Sequence, residues 1–171
     1  HYDYWQDCLK PSILVESGAD WLCYGMGERT MIEFTKAVEA GRNINDIRKI
    51  PQLGFYMDGR CRTKDSVILN SYERCCKDKV AFAENFHVIE TYANMLQPPV
   101  LVEPVGNGYV QINPTWPPAT QEQMDSFWDL PFTKLPHPRY KGKHIPAFEM
   151  IKFSINTHRG CFGGCNFCTI A

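Results

Sequence analysis

Cys161, Cys165 and Cys168 follow one another at C-x3-C-x2-C spacing in the run Arg159-Gly160-Cys161-Phe162-Gly163-Gly164-Cys165-Asn166-Phe167-Cys168. A loop with this spacing delivers three thiolates to one metal centre. Three thiolates rather than four leave a coordination position open, and an iron–sulfur cubane held this way keeps one iron able to bind a substrate or cofactor. Gly160, Gly163 and Gly164 suit a backbone wrapped tightly round such a cluster, since glycine reaches positive φ at little steric cost. The competing chemistry is structural zinc, with a distant Cys or His such as His158 as fourth ligand. Such sites mostly use paired C-x2-4-C knuckles with a second pair further on, and no second pair follows here.

The elements that must position this loop begin just ahead of it. Residues 150–157 alternate well enough to be a strand, with the cysteine loop starting at its C-terminal end. That is where β/α barrels gather their active sites, so a first barrel strand is expected, lacking most of its partners. Residues 131–146 are proline-rich and carry His137, Arg139, Lys141, Lys143 and His144, a cluster able to touch phosphates but read first as a solvated loop. Thr120-x-x-Gln123 is a capping-box pattern opening a short helix.

Further upstream, residues 4–16 place Trp5, Leu9, Ile13 and Leu14 at roughly helical spacing, weakened by Pro11. Residues 21–24 read as a buried strand, followed by Gly25-Met26-Gly27-Glu28 and a helix with Met31, Phe34 and Val38 on one face and Gly41 at its C-terminal cap. The glycine turn could offer a helix N-terminus to an anion, but it is read more simply as a turn whose Glu28 complements its own helix dipole. Residues 53–57 and 61–63 flank Asp58-Gly59 as a small hairpin, and 67–69 make a short strand. A long helix over 72–96 carries Cys75, Phe82, Phe86, Ile89, Ala93 and Leu96 on one stripe, so Cys75 and His87 read as structural and Cys76 as an idle neighbour on another face. Pro98-Pro99 ends it, and 100–102 with 109–112 form a second hairpin round Gly106-Asn107-Gly108.

Composition bounds the class. The 171 residues suffice for one medium domain or two small pieces, and 44% hydrophobic against 22% charged residues is a globular balance. A net charge of −1 gives no general basic field for nucleic acid. The eight cysteines, irregular apart from the terminal trio, do not form a secreted disulfide framework. A reducing, cytoplasmic location is expected, and no apolar run is long enough to cross a bilayer.

The cysteine trio resembles the signature of the radical S-adenosylmethionine (SAM) enzymes. The resemblance extends through His1-Tyr2-Asp3-Tyr4-Trp5, Tyr24-Gly25-Met26-Gly27-Glu28-Arg29, Gln123-Met124-Asp125-Ser126, Pro136-His137-Pro138 and the run from Ile145 to Ser154. Together these are similar to the YgiQ-type radical SAM proteins, also called UPF0313. The resemblance implies a [4Fe–4S] cluster on Cys161, Cys165 and Cys168, with SAM on the open iron and Phe167 near its adenine. It implies reductive cleavage of SAM to a 5′-deoxyadenosyl radical that acts on a substrate it does not identify, with an unidentified electron donor. It assigns no catalytic side chain in this stretch.

The expected fold is α/β, with α+β the alternative. Residues 1–58 are read as the end of an N-terminal α/β layer like a cobalamin-binding domain, 59–118 as a central segment, and 119–171 as a linker and the start of the radical SAM domain. No D-x-H-x-x-G motif occurs, so cobalamin is not expected. A complete β/α barrel needs roughly two hundred residues or more. The chain is therefore read as a piece of a longer enzyme, ending just after the cluster motif and inactive by itself. Two other functions stay open: a module binding a macromolecule such as RNA through Arg139, Lys141 and Lys143, and a structural zinc protein.

Overall fold

In the computed structural model, which describes residues 1–61, 64–93, 95–157 and 160–161, the chain reverses direction at Gly106-Asn107. Gly106 has φ of 57°, as the first central residue of a type II′ turn requires. The strands on either side, β6 (Val100–Val105) and β7 (Gly108–Ile112), pair antiparallel from Val105↔Gly108 to Leu101↔Ile112. This hairpin is the centre of a five-stranded sheet of order β3-β4-β7-β6-β5, in which β3 is Leu22–Cys23, β4 is Leu53–Asp58 and β5 is Ser66–Ile68. The β3–β4 and β4–β7 pairings are antiparallel and β5–β6 is parallel. Helices and mixed sheet give the expected α/β fold, although the sheet departs from a wholly parallel layer. A separate hairpin joins β1 (Tyr2–Asp3) to β2 (Cys8–Leu9).

Two divisions emerge along the chain, His1–Phe127 and Trp128–Ala171. In the first, α1 (Ile13–Ser17) brings Leu14 against Val105 and Val110, with Leu22, Tyr56, Tyr72 and Ile112 around them. A second cluster joins Ala37 of α2 (Glu28–Glu39), Ile47 of α3 (Ile44–Ile47) and Leu53, with Trp21 edge-on to both Phe34 and Phe55. Burial of each large side chain in these clusters is worth about 1.5–3 kcal/mol, and of a single methyl such as that of Ala37 about 0.8 kcal/mol. Between β5 and β6 run α4 (Tyr72–Cys75) and α5 (Lys79–Ala93). The unit closes with α6 (Gln121–Trp128), whose capping box forms reciprocally. The Thr120 amide donates to Gln123 Oε1 at 3.0 Å, and the Gln123 amide donates to Thr120 Oγ1 at 3.3 Å.

Several local expectations are corrected. Within residues 4–16 the helix is confined to α1 from Ile13 onward; Trp5 and Leu9 belong instead to the β1–β2 hairpin, because Asp3 accepts from the amides of Trp5 and Gln6 and turns the chain. Among the described residues β4 pairs with β3 and β7, both distant in the chain, while Arg62 and Thr63 of the expected hairpin lie outside the described residues. The buried face of α2 is Thr30, Phe34 and Ala37, while Met31 and Val38 face solvent. The helix expected over 72–96 breaks between Cys75 and Lys79, where Asp78 caps afresh by accepting from the Val80 amide at 2.9 Å. The inward positions of α5 are Ala81 and Asn85, with Phe86 exposed. Asn85 is drawn inside by bonds to both backbone groups of Asn70, at 2.8 and 2.9 Å.

In the second unit a 3₁₀ turn (Pro138–Tyr140) precedes α7 (Pro146–Ile151). The strand expected over 150–157 is absent. Pro146 stands where its fixed φ favours a helix start, and Glu149 pairs with Lys152 at 2.6 Å one turn on. Residues 154–157 have no partner strand among the described residues, and an isolated strand gains no ladder hydrogen bonds.

Candidate functional site

Of the cysteine trio, the structure describes Cys161 alone. It is exposed and follows Gly160, whose φ is 90°. Cys165, Cys168 and Phe167 lie outside the described residues, as do Gly163, Gly164, His158 and Arg159. Among the described residues no three His, Cys, Asp or Glu side chains gather closely enough to hold a metal. Cys8, Cys23 and Cys61 are half-buried and dispersed, so none of them is grouped as a metal centre. The chemistry of the donor set fits such a group: soft thiolates suit an iron–sulfur cluster, and three of them would leave one iron corner unligated by protein.

The glycine turn ahead of α2 proves to be a packing device. Gly25 has φ of 65°, and a Cβ there would lie 2.6 Å from Gln52 Nε2. Gln52 is buried and itself sits at φ of 55°. It is held by donating from its amide to Pro114 O at 2.8 Å and from Nε2 to Tyr24 O at 3.2 Å. One turn into α2, Thr30 is wholly buried. Its hydroxyl donates to Pro51 O at 3.1 Å and accepts from Trp116 Nε1 at 2.9 Å, and the Arg29 guanidinium stacks 3.9 Å above the same indole.

Cys75 and Cys76 part as expected: Cys75 is buried and Cys76 exposed. The Cys75 sulfur accepts from Asn85 Nδ2 at 3.2 Å, and burial pushes its thiol pKa up, opposite to what a nucleophile needs. His87 is exposed. In the second unit Arg139, Lys141, Lys143, His137 and His144 are all exposed, and His137 Nδ1 is occupied accepting from the Arg139 amide at 3.1 Å.

A polar knot on the sheet was not anticipated. Asn113 is buried, and its Nδ2 donates to Arg48 O and Ile50 O, both at 2.7 Å, while its Oδ1 accepts from Gln111 Nε2 at 2.9 Å. The Tyr24 hydroxyl donates to Asn113 O, and burial pushes that phenol up to about 12. The legible signal was Tyr109-x-Gln111-x-Asn113, three polar-tipped residues on one face of a strand whose alternate positions are Val110 and Ile112.

Comparison with known proteins sets these features in a family. Residues 1–154 match the family described as "Radical SAM N-terminal", which is nine-tenths of the chain's course and stops just short of the cysteine loop. The chain belongs to the radical SAM N-terminal family. It is 46% identical over 188 residues to a UPF0313 protein of Bacteroides thetaiotaomicron, covering all of this chain and 30% of that protein. A UPF0313 protein of Porphyromonas gingivalis is 46% identical over 174 residues, and one of Methanocella arvoryzae 38% identical over 170. The chain thus spans less than a third of the length of these curated relatives, 27% and 28% for the latter two. No solved structure matches it. Among the described residues no helix of this family member is long and apolar enough to cross a membrane.

Proposed function

We propose that this chain is a piece of a radical SAM enzyme in which Cys161, Cys165 and Cys168 hold a [4Fe–4S] cluster and Phe167 lies against the adenine of SAM. When bound, the cluster supplies the electron that cleaves SAM reductively to a 5′-deoxyadenosyl radical, which acts on a substrate of the whole enzyme. The observation that carries this reading is the family match over 1–154 running directly into three thiolates at C-x3-C-x2-C spacing. The exposure of Cys161 agrees with a ligand that must meet a group assembled from outside the fold. Thiolate ligands also require a reducing compartment, for which we propose the cytoplasm. Residues 119–171 then serve as linker and start of the radical SAM domain, and 1–118 as the α/β and central segments before it.

The test is anaerobic reconstitution of the full-length protein with iron and sulfide, followed by an assay for 5′-deoxyadenosine. Cys161→Ala, Cys165→Ala and Cys168→Ala are each expected to lose the brown chromophore and SAM cleavage together. Undiminished 5′-deoxyadenosine from any of these variants, or zinc alone in the purified protein, refutes the assignment.

A further inference from the structure

We infer that the cleft between α3 and the β4–β7 face, remote in sequence from the cysteine loop, binds a small phosphate monoester with an apolar body. The cavity measures about 760 Å³, room for an organic ligand rather than a bare ion. Arg48, Lys49 and Arg60 bring three cations to its lining, against one carboxylate, Asp58.

The cations are not equivalent. Lys49 is held by Asp46 at 2.8 Å. Arg48 and Arg60 form no ion pair among the described residues. Arg48 Nε is buried and makes no hydrogen bond among the described residues, so its desolvation is uncompensated by the protein. Among the described residues the guanidinium is engaged weakly, by Asn45 Oδ1 at 3.5 Å and the Phe55 ring 5.7 Å away. A guanidinium in that condition is stabilised by an oxyanion, and its planar fork matches a phosphate bidentately. The field of Arg48 reaches across the cleft floor, where it opposes the rise that burial imposes on the Tyr109 phenol.

The remainder of the wall suits the rest of such a ligand. Met57, Val100 and Pro114 offer an apolar surface beside the charged end, with the buried Phe55 ring behind them. The knot made by Asn113 fixes the backbone of Arg48 to the sheet, so the guanidinium is presented from a rigid base. This site is independent of the cysteine loop, and its failure would leave the cluster assignment untouched.

Phenyl phosphate is the probe, titrated calorimetrically into the present chain, with phenol and benzoate as controls. Phenyl phosphate is expected to bind tighter than either, and Arg48→Gln and Arg60→Gln each to weaken it by about tenfold, the loss of one charge-assisted hydrogen bond. Arg139→Gln, in the other unit, is expected to change nothing. Should Arg48→Gln fail to fold, the exposed Arg60→Gln decides, together with shifts of the Gln111 and Asn113 side-chain amides in NMR spectra on adding phenyl phosphate. Absence of binding, equal binding by phenol or benzoate, or full affinity in Arg60→Gln overturns the proposal.

Discussion

Asn113 joins the end of α3 to the sheet through a single amide. Removing it takes the Asn113 Nδ2 donor from Arg48 O and Ile50 O in a buried place. Asn113→Ala is therefore expected to cost roughly 3 kcal/mol, read as a lower midpoint in urea at unchanged slope. Glu103, on β6, carries the opposite tension. Burial pushes its pKa above the ordinary carboxylate value, Glu73 adds to the rise, and the N-terminal ammonium opposes it. The native state thus binds a proton more readily than the unfolded chain. The stability contribution is present below the unfolded carboxyl pKa and lost as pH rises through the raised folded one. Glu103→Gln is expected to raise the melting temperature at neutral pH and to flatten the decline from acid to neutral pH. An unaltered pH profile would exclude Glu103 as its source.

At the scale of elements, the β6–β7 hairpin is the piece on which the sheet is built, and Gly108 is its tightest point. A Cβ there would lie 2.2 Å from Met57 O on the neighbouring strand. Since backbone cannot yield as a side chain can, Gly108→Ala is expected to cost roughly 3 kcal/mol. Gly59→Ala meets no atom within 4 Å but sits at φ of 88°, so its cost is backbone strain of about 1 kcal/mol. Comparing the two melts separates contact from conformation. The elements whose ends carry their own chemistry were legible in advance: the Gly106-Asn107 turn, the Thr120/Gln123 box, and the end of α2, where Gly41 donates to Val38 O and Arg42 to Ala37 O. Which face of a helix turns inward was less legible. Thr30 and Ala37 displaced Met31 and Val38 because Trp116 and Pro51 supply partners for the Thr30 hydroxyl. Such partners lie far along the chain and leave no trace in local periodicity.

Taken whole, the molecule is two units, and the first contains both hydrophobic clusters and the entire five-stranded sheet. A chain of residues 1–127 is expected to fold by itself, giving a single cooperative melt and the near-UV signal of a packed Trp21. A broad, non-cooperative transition would show that its core is incomplete. In the second unit Met150, Phe153 and Ile155 are each more than four-fifths exposed.

Sequence alone carries the proposed cluster chemistry, because residue type and spacing are local: C-x3-C-x2-C offers three thiols to one centre wherever the loop lies. It also determined the α/β class and the self-terminating elements, whose turn and cap residues act within a few positions. Tertiary structure decided the pairing of β4 with β3 and β7, the inward faces of α2 and α5, and the Asn113 knot with the cleft of Arg48 beside it. Each depends on hydrogen-bond partners fifteen or more residues apart, and desolvation makes those partners obligatory only once the chain has closed around them.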